Sequence, residues 1–506
     1  MNKQSKDNPF PGLKSFQFED HALFFGRETQ VESLREKLFK SGFLAITGAA
    51  GSGKSSLSKA GLIPAIIKAS ANSANKCLFI PFNPGMNPLR SLAEALTSNI
   101  PISKEGIKLT VKQVEQILLD DPKQILTLTK DIEAKHHLLI FIDQFEEVFR
   151  YAQPSGAGKE VSLDTKSFIQ CLVELTVDKQ NKTYVVLTMQ STYLEDCTQF
   201  EGFIELINDG SYLIPKMSQP DIRNSIIKPA LYYGVTISEE LVDQLMQDLE
   251  HFSDPLPVLQ HALMRTWAHW QSSTSESEIR ISDYNAIGTM FNAISNHSDK
   301  IFNGFSNEKY RKGTELIFKA LIKSRSGETG VLQPVSFADI LKITNQPEAL
   351  ALDVIDAFRN DNSFILTPGQ DVQIANDTVI DLSLESITDL WVQLKKWVAE
   401  EVDSSITYKK ISSTSARYQT GKAGLLTGPE LQLGLQWRKT QNPTLGWANK
   451  YDSFYERAIT FLEYSEREHQ LVLNSKEKSQ QSARKRNNFL AVLGLLITVG
   501  AIVAAI

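Results

Sequence analysis

Cysteine is nearly absent from this chain. Three occur in 506 residues, Cys77, Cys171 and Cys197, and no two share a CxxC spacing. That argues against a disulfide framework and a cysteine-built zinc site, and it suits a reducing cytoplasm. Histidine is sparse too: eight residues are scattered without an HExxH or another ligand-spaced pair, which argues against metal-assisted hydrolysis. His136 and His137 read as surface residues where a strand begins. His261, in the apolar stretch LQHAL, reads as a core histidine with its hydrogen bonds met. No G-x-S-x-G turn is present to carry a serine nucleophile. Basic residues are not in excess either, since 53 Lys and Arg against 59 Asp and Glu leave a net charge of −6. No nucleic-acid partner is therefore expected from the charge of the whole chain. The first residues, MNKQSKDNPFPG, lack the apolar run of a signal peptide. No internal repeat of solenoid or propeller length is found.

What is present is ordinary globular material, 42% hydrophobic and 22% charged. It allows a large core, over a length that suggests about three domains. From Phe43 to about Pro215, short apolar runs alternate with helix-like stretches. FLAIT (43–47), CLFIPF (77–82), LLIFID (138–143) and TYVVLTM (183–189) predict buried strands, with helices such as PLRSLAEALTSNI and SFIQCLVELTVDK between them. This alternation predicts an α/β domain, a parallel sheet with helices on both faces. The polar stretch QPSGAGKEVS (153–162) reads as a surface loop, because its Gly-Ala-Gly-Lys lacks the spacing of a phosphate loop.

The chain closes on FLAVLGLLITVGAIVAAI, Phe489–Ile506, uncharged and preceded by Arg484, Lys485 and Arg486. Its length of about 18 residues rises roughly 27 Å at 1.5 Å per residue, close to the about 30 Å of a bilayer core. The basic residues place that side in the cytoplasm. A helix apolar all round has no amphipathic face with which to dock on a globular domain. The expectation is a single-pass C-terminal membrane anchor, with a buried core helix as the alternative.

One motif carries chemistry. Gly48-Ala49-Ala50-Gly51-Ser52-Gly53-Lys54-Ser55, followed by Ser56, fits G-x-x-x-x-G-K-[ST] between a strand and a helix. Glycines let the backbone wrap a phosphate chain with its N–H groups inward, and the helix start adds a positive dipole end. Lys54 is expected to reach the β- and γ-phosphates, and the Ser55 hydroxyl to ligate Mg²⁺. Further on, HHLLIFIDQFEEVFR puts Asp143 at the carboxyl end of an apolar strand, where a Walker-B carboxylate serves Mg²⁺ through water. Glu146 and Glu147 follow within a turn. Either is placed to orient the attacking water, or both are solvated residues favoured by the helix dipole. ATP or ADP with Mg²⁺ is the expected cofactor set. The long interval between Lys54 and Asp143 suits P-loop proteins in which an extra strand separates the two Walker strands.

Further segments bear a resemblance. NPFPGLKSFQFEDHALFFGRE (8–28), SSLSKAGLIPAI (55–66), DPLPVLQHALMRTW (254–267), IDLSLESITDLWVQLKKW (380–397) and AGLLTGPELQLGLQW (423–437) resemble, in this order, parts of the bacterial novel STAND NTPases. The resemblance implies a switch: such proteins hold ADP in a closed form, exchange it for ATP on a stimulus and assemble into signalling oligomers. It implies that Arg27 lies close to the nucleotide and that Pro257 packs by the base. Read without it, Arg27 bridges the opening segment to a helix and Pro257 is a helix-start proline. It also makes Asp143 the magnesium aspartate and Glu147, with Glu146, the hydrolytic acidic pair. Two positions depart from the family pattern. Gln190 in LTMQST stands where an arginine is expected, and Leu384 in SLES where a histidine is expected.

The expected organisation is a strap (1–22), a P-loop NTPase domain (23–215), a helical lid (216–296), a winged-helix-like domain (297–400), a helical domain (401–470), a basic linker (471–487) and a transmembrane helix (488–506). The expected activity is a membrane-anchored nucleotide switch with at most slow ATPase turnover. It would act by self-association or through a separate effector. A nucleotide-stabilised membrane scaffold without catalysis is the alternative.

Overall fold

The computed structural model describes residues 7–70, 76–104, 107–133, 136–151, 161–177, 183–273, 277–324, 330–360 and 362–504. Residues 153–160 of the polar loop and 1–6 of the strap therefore lie outside the described residues. The chain divides into two compact units. The first comprises Met1–Arg311, Pro334–Phe337 and Leu352–Lys395; the second comprises Lys312–Gln333, Ala338–Ala351 and Lys396–Ile506.

The first unit is built on a parallel sheet. Its strands run, edge to edge, Lys76–Phe82, His136–Ile142, Thr183–Gln190, Phe43–Gly48 and Ser211–Leu213. Every neighbouring pair is parallel. The strand that separates the phosphate-loop strand from the Asp143 strand is Thr183–Gln190, while Lys76–Phe82 lies at the edge. Alternation within the strands explains why both faces are covered. Phe43, Ala45, Leu138, Ile140, Ile142, Val185 and Leu187 pack into one core. Leu44, Ile46, Leu139, Phe141 and Val186, one residue out of phase, pack into the other. All six residues of Phe43–Gly48 are buried, as a continuous apolar run in a doubly covered sheet requires.

Beyond the sheet, the same unit carries the long helix Pro255–Ser273 and a small antiparallel sheet, Val335–Ser336, Val379–Leu382 and Leu366–Thr367. The opening strap is held against Pro255–Ser273: Asn8 Nδ2 donates to the Met264 carbonyl at 2.9 Å, and the Phe10 ring stands edge-on to Trp267. His261 is fully buried on this helix, and its Nε2 faces Nδ1 of His297 at 3.1 Å. Its own Nδ1 has no partner among the described residues, so its hydrogen bonds are only half met.

The second unit has an aromatic core of Tyr408, Trp437, Trp447 and Phe461. Beside it, Glu401 is buried and its Oε1 accepts from Tyr451 Oη (2.6 Å), Trp447 Nε1 (2.8 Å) and Lys450 Nζ (3.0 Å). One carboxylate with three donors satisfies groups that would each be costly to bury alone.

The expected C-terminal transmembrane helix is not supported, and with it falls the single-pass anchor. Among the described residues no helix is long and apolar enough to cross a membrane. The apolar residues form only the last part of the helix Tyr455–Ala504, which is rich in charged residues before them. Ala505 and Ile506 lie outside the described residues.

Candidate functional site

The phosphate loop opens onto a cavity of about 800 Å³ in the first unit. Gly51 and Gly53 sit at φ +67° and +88°, the left-handed region that costs glycine least. Their backbone turns carry the chain from strand end to helix start at Lys54. Ala50, Gly51, Gly53, Lys54, Ser55 and Ser56 line the cavity, and Gly48, Ala49 and Ser52 are not among its lining residues. Lys54 Nζ donates to the carbonyls of Ala49 (2.7 Å) and Gly48 (3.2 Å). Burial lowers its pKa, and the nearby charges of Glu146, Asp143 and Asp254 oppose that shift. Ser56 has a second duty, because its Oγ accepts the Phe16 N–H at 3.1 Å and so fixes the strap beside the loop.

Asp143 is buried just past the end of the strand His136–Ile142 and has three partners. Oδ1 accepts from Thr188 Oγ1 (2.6 Å) and Ser55 Oγ (2.8 Å). Oδ2 meets Lys59 Nζ at 2.7 Å. Burial alone would raise the Asp143 pKa, but the Lys59 charge and the bonds from Lys59, Thr188 and Ser55 outweigh it and hold the group below the ordinary range. Ser55, Thr188 and Asp143 present only hard oxygen donors, a set that suits Mg²⁺. With the glycine cradle and Lys54 beside them, the residues fit a magnesium nucleotide.

The two glutamates differ. Glu146 is buried beside Lys54, and its Oε2 accepts the Gln190 N–H at 3.2 Å. Burial raises its pKa against the pull of Lys54. Glu147 is half-buried on the cavity wall, where its Oε2 accepts the Gly85 N–H at 2.9 Å. Burial pushes its pKa up to about 8. Both line the cavity, as do Gln190 and Leu384. A link that the sequence does not announce lies alongside. Arg150, on the short helix Glu147–Arg150, pairs with Asp381 of the strand Val379–Leu382 at 2.9 Å.

Arg27 is buried, with its guanidinium bonded to the carbonyls of Pro215 (2.8 Å) and Ser52 (3.4 Å). It therefore braces the back of the phosphate loop and also lines the cavity. Burial works against its charge, and Asp221 supports it. Pro257 is the third residue of Pro255–Ser273, not the first. It packs on the loop: a Cβ at Gly51 would lie 3.3 Å from Pro257 Cγ and 3.2 Å from Asp254 Cβ.

The cavity thus brings together the expected site residues except Gly48, Ala49 and Ser52, and adds Lys59, Thr188, Arg150 and Asp381, which the sequence reading missed. Lys59 stands four residues after Ser55, a spacing that puts both on one helix face. Thr188 is a hydroxyl near the end of an apolar strand. Those were the only local signals.

Comparison with known proteins gives the following. A family model described as novel STAND NTPase 1 matches residues 9–424. No curated protein matches the chain. Among solved structures, the ORC1 protein of Aeropyrum pernix in complex with DNA is 13% identical, over 75% of this chain and 93% of its own, at a TM-score of 0.41. The ORC2 protein of the same organism, in ADPNP–ADP complexes, is 12% identical over 75% and 94%, at 0.41. The HORMA:CdnC:Trip13 complex of E. coli MS115-1 contains a chain 12% identical over 54% and 91%, at 0.36.

Proposed function

The chain belongs to the novel STAND NTPase 1 family, and from that premise we propose an ATP- and ADP-binding switch whose conformation or assembly follows the nucleotide, with slow hydrolysis. One observation carries the reading. The cavity is lined at once by the phosphate loop, by Pro257 at the head of the long helix, and by Thr367, Asp381 and Leu384 around the small sheet. A ligand touched by three separate segments can bias their arrangement by its differential contacts, which is what a switch requires.

In this reading the phosphate-loop amides and Lys54 bind the phosphate chain. Arg27 keeps the loop in shape through the Ser52 carbonyl, and Pro257 closes over it. Magnesium held through Ser55 and Asp143 would supply charge neutralisation at the phosphates. Glu146, next to Lys54, orients the attacking water. Glu147, largely protonated at neutral pH and tied to Gly85, is assigned to holding the neighbouring loop. Gln190 brings no positive charge to the γ-phosphate. A fully engaged arginine there is worth ~10³–10⁵ in rate, so turnover is expected well below one per second. Leu384 cannot hydrogen-bond a phosphate, which weakens the bias toward an ADP-closed form.

The test is the mass distribution of the protein with ADP, with ATP and without nucleotide. ATP-specific assembly supports the switch. Gln190 and Leu384 favour a second reading, a nucleotide-stabilised scaffold, and an equal oligomeric state in all three conditions would select it.

A further inference from the structure

A closed circuit of contacts runs around the cavity. Pro257, in the first turn of Pro255–Ser273, packs on the phosphate loop at Gly51. About two helical turns further on, the same helix receives the strap. Asn8 Nδ2 donates to the Met264 carbonyl at 2.9 Å, while Asn8 Oδ1 accepts the Phe10 N–H at 3.1 Å. One side chain thus bends the strap and fastens it to the helix. Phe10 is 2% exposed, with its ring edge-on to Trp267. Gly12, at φ +71°, lies so close to the helix that a Cβ would stand 2.6 Å from Met264 Sδ. The strap then returns to the first helical turn behind the phosphate loop, where Ser56 Oγ accepts the Phe16 N–H at 3.1 Å.

The members of this circuit are held unequally. Pro255–Ser273 is a helix of 19 residues, and Arg27 and Pro257 brace the phosphate loop. Residues 8–17 of the strap form neither helix nor strand. An irregular segment fastened by side chains opens at a lower free energy than a packed helix or sheet. Residues 11–17 line the cavity, whereas Asn8, Phe10, Met264 and Trp267 are not among its lining residues. The fastening therefore stands apart from the place where a ligand sits.

We infer that the strap is the gate of the cavity, and that its Asn8–Phe10 end must leave Pro255–Ser273 before a nucleotide enters or departs. This rests on the nucleotide reading above and adds to it what controls the rate of exchange. Loosening a fastening that does not touch the ligand makes the open state more frequent. Entry and exit then accelerate together, and affinity stays nearly the same.

The experiment is stopped-flow fluorescence of the full chain with N-methylanthraniloyl-ADP, measuring association and then release into excess ADP. The proteins are the wild type, Phe10→Ala and Asn8→Asp. Phe10→Ala removes a buried ring from Trp267 and should raise both rates by about tenfold or more. Asn8→Asp keeps the acceptor for the Phe10 N–H but loses the donor to Met264, and should raise both by about threefold. The ratio of the two rates should stay within about threefold of the wild type in both variants. Asn8 is exposed, so Asn8→Asp decides should Phe10→Ala fail to fold. Wild-type rates in the folded variants overturn the inference while leaving nucleotide binding intact. Faster release with unchanged association also overturns it, because the strap would then be a wall that touches the ligand and not a gate. No binding by the wild type removes the nucleotide reading and this inference together.

Discussion

Glu147→Gln isolates one charge on the cavity wall. In the folded chain the Glu147 pKa stands at about 8, raised by burial from the ordinary 4.5. Between these values the folded state holds a proton that the unfolded state has released. Stability from this group is therefore complete below about pH 4.5 and is lost as the pH rises toward 8. At 1.36 kcal/mol per pKa unit the ceiling is about 5 kcal/mol. Glu147 is only half-buried and borders a cavity that water enters, so about 2 kcal/mol is the expected share after screening. Gln mimics the protonated acid at every pH and keeps the bond from Gly85. The thermal midpoint of the wild type should fall by a few degrees from pH 5 to pH 9 more than that of Glu147→Gln, the two being nearly equal at pH 5. Parallel pH profiles would refute the reasoning, because they would mean that the folded Glu147 titrates as it does unfolded.

Three further perturbations follow from the same geometry. Gln190→Arg should raise ATP turnover by about tenfold or more, a fraction of the full arginine effect; unchanged phosphate release would mean that position 190 does not face the transferred group. Arg150→Ala leaves Asp381 without its cation and should cost about 2 kcal/mol, read as faster hydrogen exchange at Val379–Leu382 and a lower thermal midpoint. Glu401→Ala strands Lys450, Trp447 and Tyr451 in the second unit and should cost about 3–5 kcal/mol, seen by calorimetry as a weakened transition of that unit.

Much of the first unit was legible because its physics is local. A strand buried on both faces must be largely apolar, and Phe43–Gly48 and residues 138–142 announce themselves by composition alone. The glycine spacing of the phosphate loop is equally local, since it encodes backbone angles. What stayed hidden depends on long-range pairing. Arg150 and Asp381 lie 231 residues apart, and nothing near either position signals the other. Lys59 looks like any solvated helix lysine until Asp143 is known to face it. Glu146 and Glu147 are neighbours with the same side chain, and only their surroundings, Lys54 and Gln190 for one and Gly85 for the other, tell them apart. The apolar run from Phe489 misled for a related reason. Hydropathy alone suggested a span, but among the described residues no helix is long and apolar enough to cross a membrane, and the apolar residues are only the last part of a helix rich in charge before them.

The central claim is that the cavity beside Lys54 binds ATP and ADP. Titration of the full chain with each nucleotide, for wild type and for Lys54→Ala, tests it directly. The account predicts saturable one-to-one binding by the wild type and loss of at least about a hundredfold in Lys54→Ala, as expected when a charged hydrogen-bonding partner of a phosphate is removed. Equal affinity in the two proteins, or no binding by the wild type, would contradict it.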